Sequence, residues 1–374
     1  MLGEIERFRE ALLAWYDAHA RDLPWRRDVT PYHTWVSEIM LQQTQTSTVV
    51  PYYLRFIQRF PTVQALAEAS IDDVLKLWEG LGYYRRAHNL HRAARIVVAE
   101  HGGQLPRDEK ALLALPGVGR YTAGAIRSIA FAESAPVLDG NIKRVLARLD
   151  DIEERIDLRE TEKRLWARAA ALLPAHRPGD FNQAMMELGA TICLPGIPAC
   201  NVCPVAAFCA ARANGVQTYR PVRSPRTRIP HYHVAAGVVW HAAEPGRFLI
   251  AQRPAGGMLS GLWEFPGGKQ EPGETLPQAL VRELMEELAI EVAVGEKVAE
   301  VRHAFTHFRI TLHAFHARHL AGEPQRLGVD DWRWVTLAEL DAFAFAKADR
   351  EIIAALKNAS AAPPHHPFAN KTGR

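Results

Sequence analysis

A chain of 374 residues, 48% of them hydrophobic, is longer than one core usually serves, so two domains are expected. No apolar run approaches the roughly 20 residues of a membrane span, and the opening MLGEIERFREALLAWYDAHA reads as an amphipathic helix rather than a secretory signal; a cytoplasmic protein without a membrane partner is expected. The net charge of +3 leaves the bulk of the chain nearly neutral, and four cysteines are too few for a secreted disulfide scaffold of this length.

In chain order, residues 4 to about 212 show helical periodicity broken at Pro61, Gly102-Gly103, Pro116-Gly117 and Pro178-Gly179, which predicts an all-α domain over 1–213. Within it, Trp35-Val-Ser-Glu-Ile-Met-Leu-Gln-Gln-Thr-Gln45 contains Glu38, and Gly80-Leu-Gly-Tyr-Tyr-Arg85 contains Tyr83. Leu115-Pro-Gly-Val-Gly-Arg-Tyr-Thr-Ala-Gly-Ala-Ile126 sets two glycines ahead of a helix, so the backbone of Gly117, Val118 and Gly119 can approach a phosphate without Cβ obstruction; a plain helix–helix turn has the same look. Val137-Leu-Asp-Gly-Asn-Ile-Lys143 follows, with Asp139 and Asn141.

The cysteines stand as Cys193-x6-Cys200-x2-Cys203-x5-Cys209, so three short loops over 193–209 can wrap four thiolates around one centre. Tetrahedral zinc and an iron–sulfur cluster accept the same donors, and spacing alone does not decide between them. Residues 214–232 then interrupt all periodicity with Arg220, Arg223, Arg226 and Arg228 and no acid, which reads as a linker, either simply solvated or lying along a polyanion. Over 233–357 the runs VAAGVVWHA, RFLIAQRP, VAEVRHAFTHFRITLHAFHARHL and WRWVTL enclose one strong helix at 275–289, an α+β domain. The last stretch, 358–374, lacks apolar periodicity and is expected to be a disordered tail.

The glycine turn taken together with the Asp139 motif resembles the helix–hairpin–helix signature of DNA base-excision glycosylases. The cysteine spacing resembles the 4Fe–4S loop of the endonuclease III and MutY superfamily, and WVSEIMLQQTQ is similar, residue for residue, to the acid-bearing helix of the MutY family. The resemblance implies a monomeric enzyme with a 4Fe–4S cluster on Cys193, Cys200, Cys203 and Cys209. Its partner would be double-stranded DNA carrying an 8-oxoguanine:adenine mispair, from which it removes the adenine. Purine excision needs an acid for the leaving base and a carboxylate for the cationic sugar. By resemblance, Glu38 is that acid, at adenine N7, and Asp139 faces C1′, supported by Tyr121 and Asn141. Tyr121 stands where bifunctional relatives carry a lysine, which implies a monofunctional enzyme. Gln42 and Tyr83 resemble the family's intercalating residues, and Trp25, Arg26, Leu41 and Gln183 its adenine pocket; for Trp25 and Tyr83 ordinary aromatic packing is the alternative.

In the second domain, Gly268-x5-Glu274-x7-Arg282-Glu283-Leu284-x-Glu286-Glu287-x-Ala289-Ile290 fits a Nudix box with Ala289 in place of the usual final glycine. Glu283, Glu286 and Glu287 fall on one helix face, where they could hold Mg²⁺ around a pyrophosphate. MutY C-terminal domains generally lack these glutamates, so two uses stay open: reading 8-oxoguanine in DNA, or also hydrolysing oxidised nucleoside triphosphates. Phe305-Thr306-His307 resembles the family's Phe-Ser-His lesion-contacting loop.

Overall fold

The computed structural model describes residues 2–225, 229–305 and 307–360. They divide into two compact units, Met1–Ala69 with Asn89–Arg226, and Ser70–His88 with Thr227–Arg374.

The first unit is helical throughout. Its spine is the helix Pro178–Thr191, whose buried Phe181, Ala184, Met185 and Leu188 pack with Phe8 and Leu12 of Leu2–His19 and with Val145 and Leu146 of Gly140–Leu149. Pro178-Gly179, expected to interrupt helical structure, instead opens this helix. Proline tolerates the first turn because its missing N–H would have no helical partner there, and Arg177 takes the left-handed cap at φ 58°. Two glycines set how closely the spine approaches its neighbours. A Cβ on Gly179 would lie 2.5 Å from Ser128 O, and one on Gly189 would lie 2.6 Å from the Asn141 Cβ. Only a bare backbone fits at these crossings.

The sequence expected as a linker from residue 214 is bound to this unit as far as Ser224. Ile156 N donates to Val222 O at 3.1 Å, and Arg220 pairs with Asp151 at 2.8 Å. Arg226 and Arg228 lie outside the described residues.

The second unit is built on a mixed sheet of strands β1 (His231–Trp240), β2 (Arg247–Gln252), β3 (Trp263–Glu264), β4 (Gly267–Lys269), β5 (Glu291–Ala304), β6 (Arg309–Ala321) and β7 (Asp331–Thr336). Its order is β3-β2-β1-β6-β5, with β4 also on β1 and β7 on β2; β1 and β6 run parallel, from His231 beside Arg309 to Trp240 beside Arg318. Alternating side chains give each face its own core. Val239, Leu249, Phe315 and Ala317 pack under Leu280 and Leu284 of the helix Leu276–Leu288, while Val238, Phe248, Leu312 and Ala314 pack under Ile352 and Leu356 of Lys347–Ser360. That last helix runs past the expected domain end at 357; residues 361–374 lie outside the described set.

Candidate active site and cysteine loop

A cleft of about 730 Å³ opens in the first unit, and the two sequence-nominated acids stand in it. Glu38 is placed by the helix Pro31–Leu41, which starts on a Thr30 cap with Pro31 at its first position and is anchored by fully buried Trp35, Val36 and Met40. The Tyr121 hydroxyl donates to Glu38 Oε2 at 2.6 Å, with Met186 Sδ 3.1 Å away. Burial lifts the Glu38 carboxyl to about 7, with Asp139 adding to the shift, while the Tyr121 hydrogen bond and the Arg26 charge oppose it. Burial, helped by Glu38 and Asp139, also holds the Tyr121 phenol well above its ordinary value, so it remains a donor. Tyr121 sits on the helix Arg120–Ala125, and its hydroxyl hydrogen-bonds Glu38, while the Asp139 it was expected to support acts on it through charge.

Asp139 is the N-cap of Gly140–Leu149 and a wall of the cleft at once. Its Oδ1 accepts from Ile142 N at 2.7 Å and its Oδ2 from Asn141 Nδ2 at 2.9 Å. Burial raises its carboxyl, and these hydrogen bonds oppose the rise by favouring the ionised form. Asn141 Oδ1 is held in turn by Arg144 Nη2 at 2.9 Å, which also donates to Gly189 O at 2.6 Å. The cleft thus holds two carboxyls in unlike settings, Glu38 lifted to about 7 by burial and Asp139 raised by burial against hydrogen bonds that favour its ionised form, and two unlike carboxyls are what glycosidic cleavage requires.

Trp25, Arg26, Leu41, Gln42 and Gln183 line the same cleft. Trp25, a lining residue of the cleft, is also core, edge-on to Tyr53 at 5.3 Å. Gln42 Nε2 donates to Thr122 Oγ1 at 3.3 Å. Sequence reasoning passed over Glu187, fully buried and paired with Arg21 at 2.6 Å and Arg26 at 2.9 Å, along with Arg21, Thr34, Ser37 and Met186 on the cleft wall. The available signal was helical spacing: Glu187 lies one turn beyond Gln183 on a single helix.

Gly117, Val118 and Gly119 are not among the residues that line this cleft. Gly117 takes φ +79° and Gly119 caps Arg120–Ala125, where an added Cβ would meet nothing within 4 Å; Val118 between them is buried. Tyr83 belongs to the second unit, 44% exposed at φ 49°, with the Arg86 guanidinium 5.3 Å from its ring. Phe305 and His307 sit at the β5–β6 turn, closed by Phe305 N donating to Phe308 O at 2.8 Å; Thr306 lies outside the described residues.

Cys193, Cys200, Cys203 and Cys209 line one pocket. Buried Arg148 braces it, with Nη1 3.2 Å from Cys193 Sγ and donating at 2.8 Å to Leu194 O, and Nη2 donating to Gly196 O at 3.1 Å. Arg144 Nε donates to Cys193 O at 2.7 Å. Burial pushes the Cys203 thiol up to about 11, an apolar setting that a thiolate shares comfortably only with a cationic centre. Among the described residues no three histidine, cysteine or acidic side chains are arranged around a single metal ion. Four thiols around one pocket, with a guanidinium beside one sulfur, are a donor set that fits a four-thiolate centre.

On the Nudix helix, capped by Thr275 and Gln278 in a capping box, Arg282 pairs with Glu274 at 2.8 Å and with Glu283 and Glu286 at 3.1 Å. A Cβ on Gly268 would lie 2.1 Å from Glu283 Cδ, so this glycine makes room for the carboxylate. Burial, beside Glu264 and Glu283, lifts Glu287 to about 7. Ala289 takes the left-handed conformation, φ 55°, that the usual glycine of the box would adopt without strain.

A helical unit whose cleft holds the Glu38 and Asp139 carboxyls, followed by a mixed-sheet unit that carries a Nudix box, has the architecture of a base-excision DNA glycosylase joined to a Nudix module. Residues 36–171 match the HhH-GPD superfamily of base excision DNA repair proteins, and residues 235–355 match the NUDIX domain. The adenine DNA glycosylase of Homo sapiens is 38% identical over 94% of this chain and 74% of its own length, and that of Arabidopsis thaliana 39% identical over 82% and 56%. The chain belongs to the adenine DNA glycosylase family. Among solved structures, a thermostable thymine-DNA glycosylase aligns over 57% of this chain and 98% of its own, at 31% identity and TM-score 0.53. Endonuclease III in a non-covalent DNA complex shares the fold over 58% of this chain and 99% of its own, at 21% identity and TM-score 0.50. The protein is a DNA glycosylase and binds DNA, and its family generally carries a 4Fe–4S cluster. No helix among the described residues is long and apolar enough to cross a membrane.

Proposed function

We propose that this protein, acting as a monomer, hydrolyses the N-glycosidic bond of adenine mispaired with 8-oxoguanine and leaves an abasic site without cutting the strand. The observation that carries the reading is the Tyr121–Glu38 hydrogen bond in a cleft shared with Asp139. A base reaches such a cleft only by leaving the duplex stack. Glu38 then gives its proton to N7 of the adenine, the C1′–N9 bond breaks with its electrons on the base, and the Asp139 carboxylate stabilises the sugar cation until water adds at C1′ and loses a proton. Among the described residues no lysine lines the cleft, and Lys143 is paired with Glu162 at 2.7 Å, which supports hydrolysis over Schiff-base lyase chemistry. Cys193, Cys200, Cys203 and Cys209 would hold the 4Fe–4S cluster, whose part is structural, keeping the loop folded for docking on DNA. In the Nudix unit, Arg282 already occupies Glu283 and Glu286, which favours lesion reading through Phe305, Thr306 and His307 over Mg²⁺-dependent hydrolysis at Glu283, Glu286 and Glu287.

Single-turnover excision from an 8-oxoguanine:adenine duplex, developed with alkali, tests the proposal. Wild type should give alkali-dependent cleavage and Glu38→Gln almost none. Cleavage without alkali would overturn the monofunctional reading, and no excision by wild type would overturn the activity.

A further inference from the structure

We propose that Arg223, carried into the catalytic cleft by the segment that follows the cysteine loop, binds a backbone phosphate of the extruded target nucleotide. This rests on the reading of the cleft as the adenine site.

The segment is held firmly enough to present a side chain. Arg148 Nε donates to the carbonyls of Gln217 at 2.8 Å and Arg220 at 3.0 Å. Ile156 N holds Val222 O, and Ser224 Oγ donates to Asp157 Oδ2 at 2.5 Å. The residues on both sides of Arg223 are therefore anchored. Its neighbour Arg220 is committed to Asp151 at 2.8 Å and Glu153 at 2.9 Å. Arg223 differs: it is exposed, it lines the cleft with Glu38, Asp139 and Asn141, and no acid among the described residues pairs with it.

Its position within the cleft follows from its neighbours. Arg144 fixes Asn141, and Asn141 fixes Asp139, and all three line the cleft that Arg223 enters. Two guanidiniums lining one cleft favour the binding of an anion there. A nucleotide with its base at Glu38 and its C1′ at Asp139 brings such an anion, because its phosphates flank the sugar. The cation belongs to no part of the bond-breaking chemistry and acts by positioning the sugar.

The test is the salt dependence of binding, measured between about 50 and 300 mM KCl, in the Glu38→Gln background so that the adenine stays attached. Probes are an 8-oxoguanine:adenine duplex and a fully matched duplex of the same sequence. Adding Arg223→Ala should reduce the slope of log K against log salt by about 0.9 on the mispair, the value of one phosphate contact, and leave the matched duplex unchanged. Arg223→Lys should restore most of the slope. An unchanged slope on the mispair overturns the proposal. An equal fall on both duplexes also overturns it, because the contact would then be general backbone rather than the target nucleotide. Wild type excision of adenine is measured alongside: if it occurs and the slope does not move, Arg223 alone is misassigned, whereas if it does not occur, the adenine site and this contact fall together.

Discussion

Replacing Tyr121 with phenylalanine removes one hydroxyl and leaves the ring in place, so its main effect falls on Glu38. The 2.6 Å hydrogen bond favours the ionised carboxylate and opposes the burial that lifts this group to about 7. Hydrogen bonds to charged groups contribute about 1.5–3 kcal/mol, and each 1.36 kcal/mol corresponds to one pKa unit. Loss of the bond should therefore raise the Glu38 carboxyl by about one to two units. The acid works only while protonated, so excision falls as pH rises through its pKa. In Tyr121→Phe the alkaline limb of single-turnover excision should move from near pH 7 to roughly pH 8–9, while the acid plateau reports separately on how far the hydroxyl orients the carboxyl. An alkaline limb that stays in place, or moves down, would refute the assignment of Glu38 as the proton donor tuned by Tyr121.

The same carboxyl couples activity to stability. Its folded pKa lies above the ordinary value of 4.5, so its contribution is complete below that value and is lost as pH rises through 7; neutral Glu38→Gln should gain on wild type by about 2 kcal/mol between pH 5.5 and 8.5, read from denaturant midpoints at each pH. A constant difference would show that Glu38 is not the buried titrating group. Gly189→Ala puts a methyl 2.6 Å from the Asn141 Cβ and should cost about 1–3 kcal/mol of stability. It should also slow excision by more than tenfold with duplex affinity retained, because Asn141 positions Asp139; loss of affinity at an unchanged single-turnover rate would contradict this. Arg148→Met strips the donors from Cys193 Sγ, Leu194 O, Gly196 O, Gln217 O and Arg220 O. A carbonyl that loses its donor costs about 1–3 kcal/mol where water cannot replace it, so the loop should loosen and the purified variant carry less iron per chain; full iron content would rule out bracing of the loop by Arg148.

What the sequence made legible, and what it did not, follows from how each feature is encoded. The acids, the cysteine run and the Nudix helix sit in contiguous motifs, and the helix at Leu276–Leu288 falls within one residue of the span its periodicity predicts. Groups assembled from distant segments leave no such mark. Glu187 meets Arg21 and Arg26 across more than 150 positions of chain, and nothing local separates it from a surface acid. Pro178 misled in the opposite direction, since proline signals both the end of one helix and the first turn of another, and only the following Phe181, Ala184, Met185 and Leu188 periodicity separates the two.

Asp139 shows most clearly why motif and mechanism need each other. An aspartate before Gly-Asn-Ile is a helix N-cap by local chemistry alone, and it is one here, accepting from Ile142 N. The hydrogen bonds that start the helix are the same ones that favour the ionised form of this carboxyl and oppose the rise that burial imposes on it. Glu38 lies three residues before the end of its own helix, has no backbone donor on its carboxylate among the described contacts, and receives a single phenol hydrogen bond, so burial prevails and its proton stays within reach of neutral pH. The difference in hydrogen bonding between the two carboxyls is thus set by where each falls on its helix.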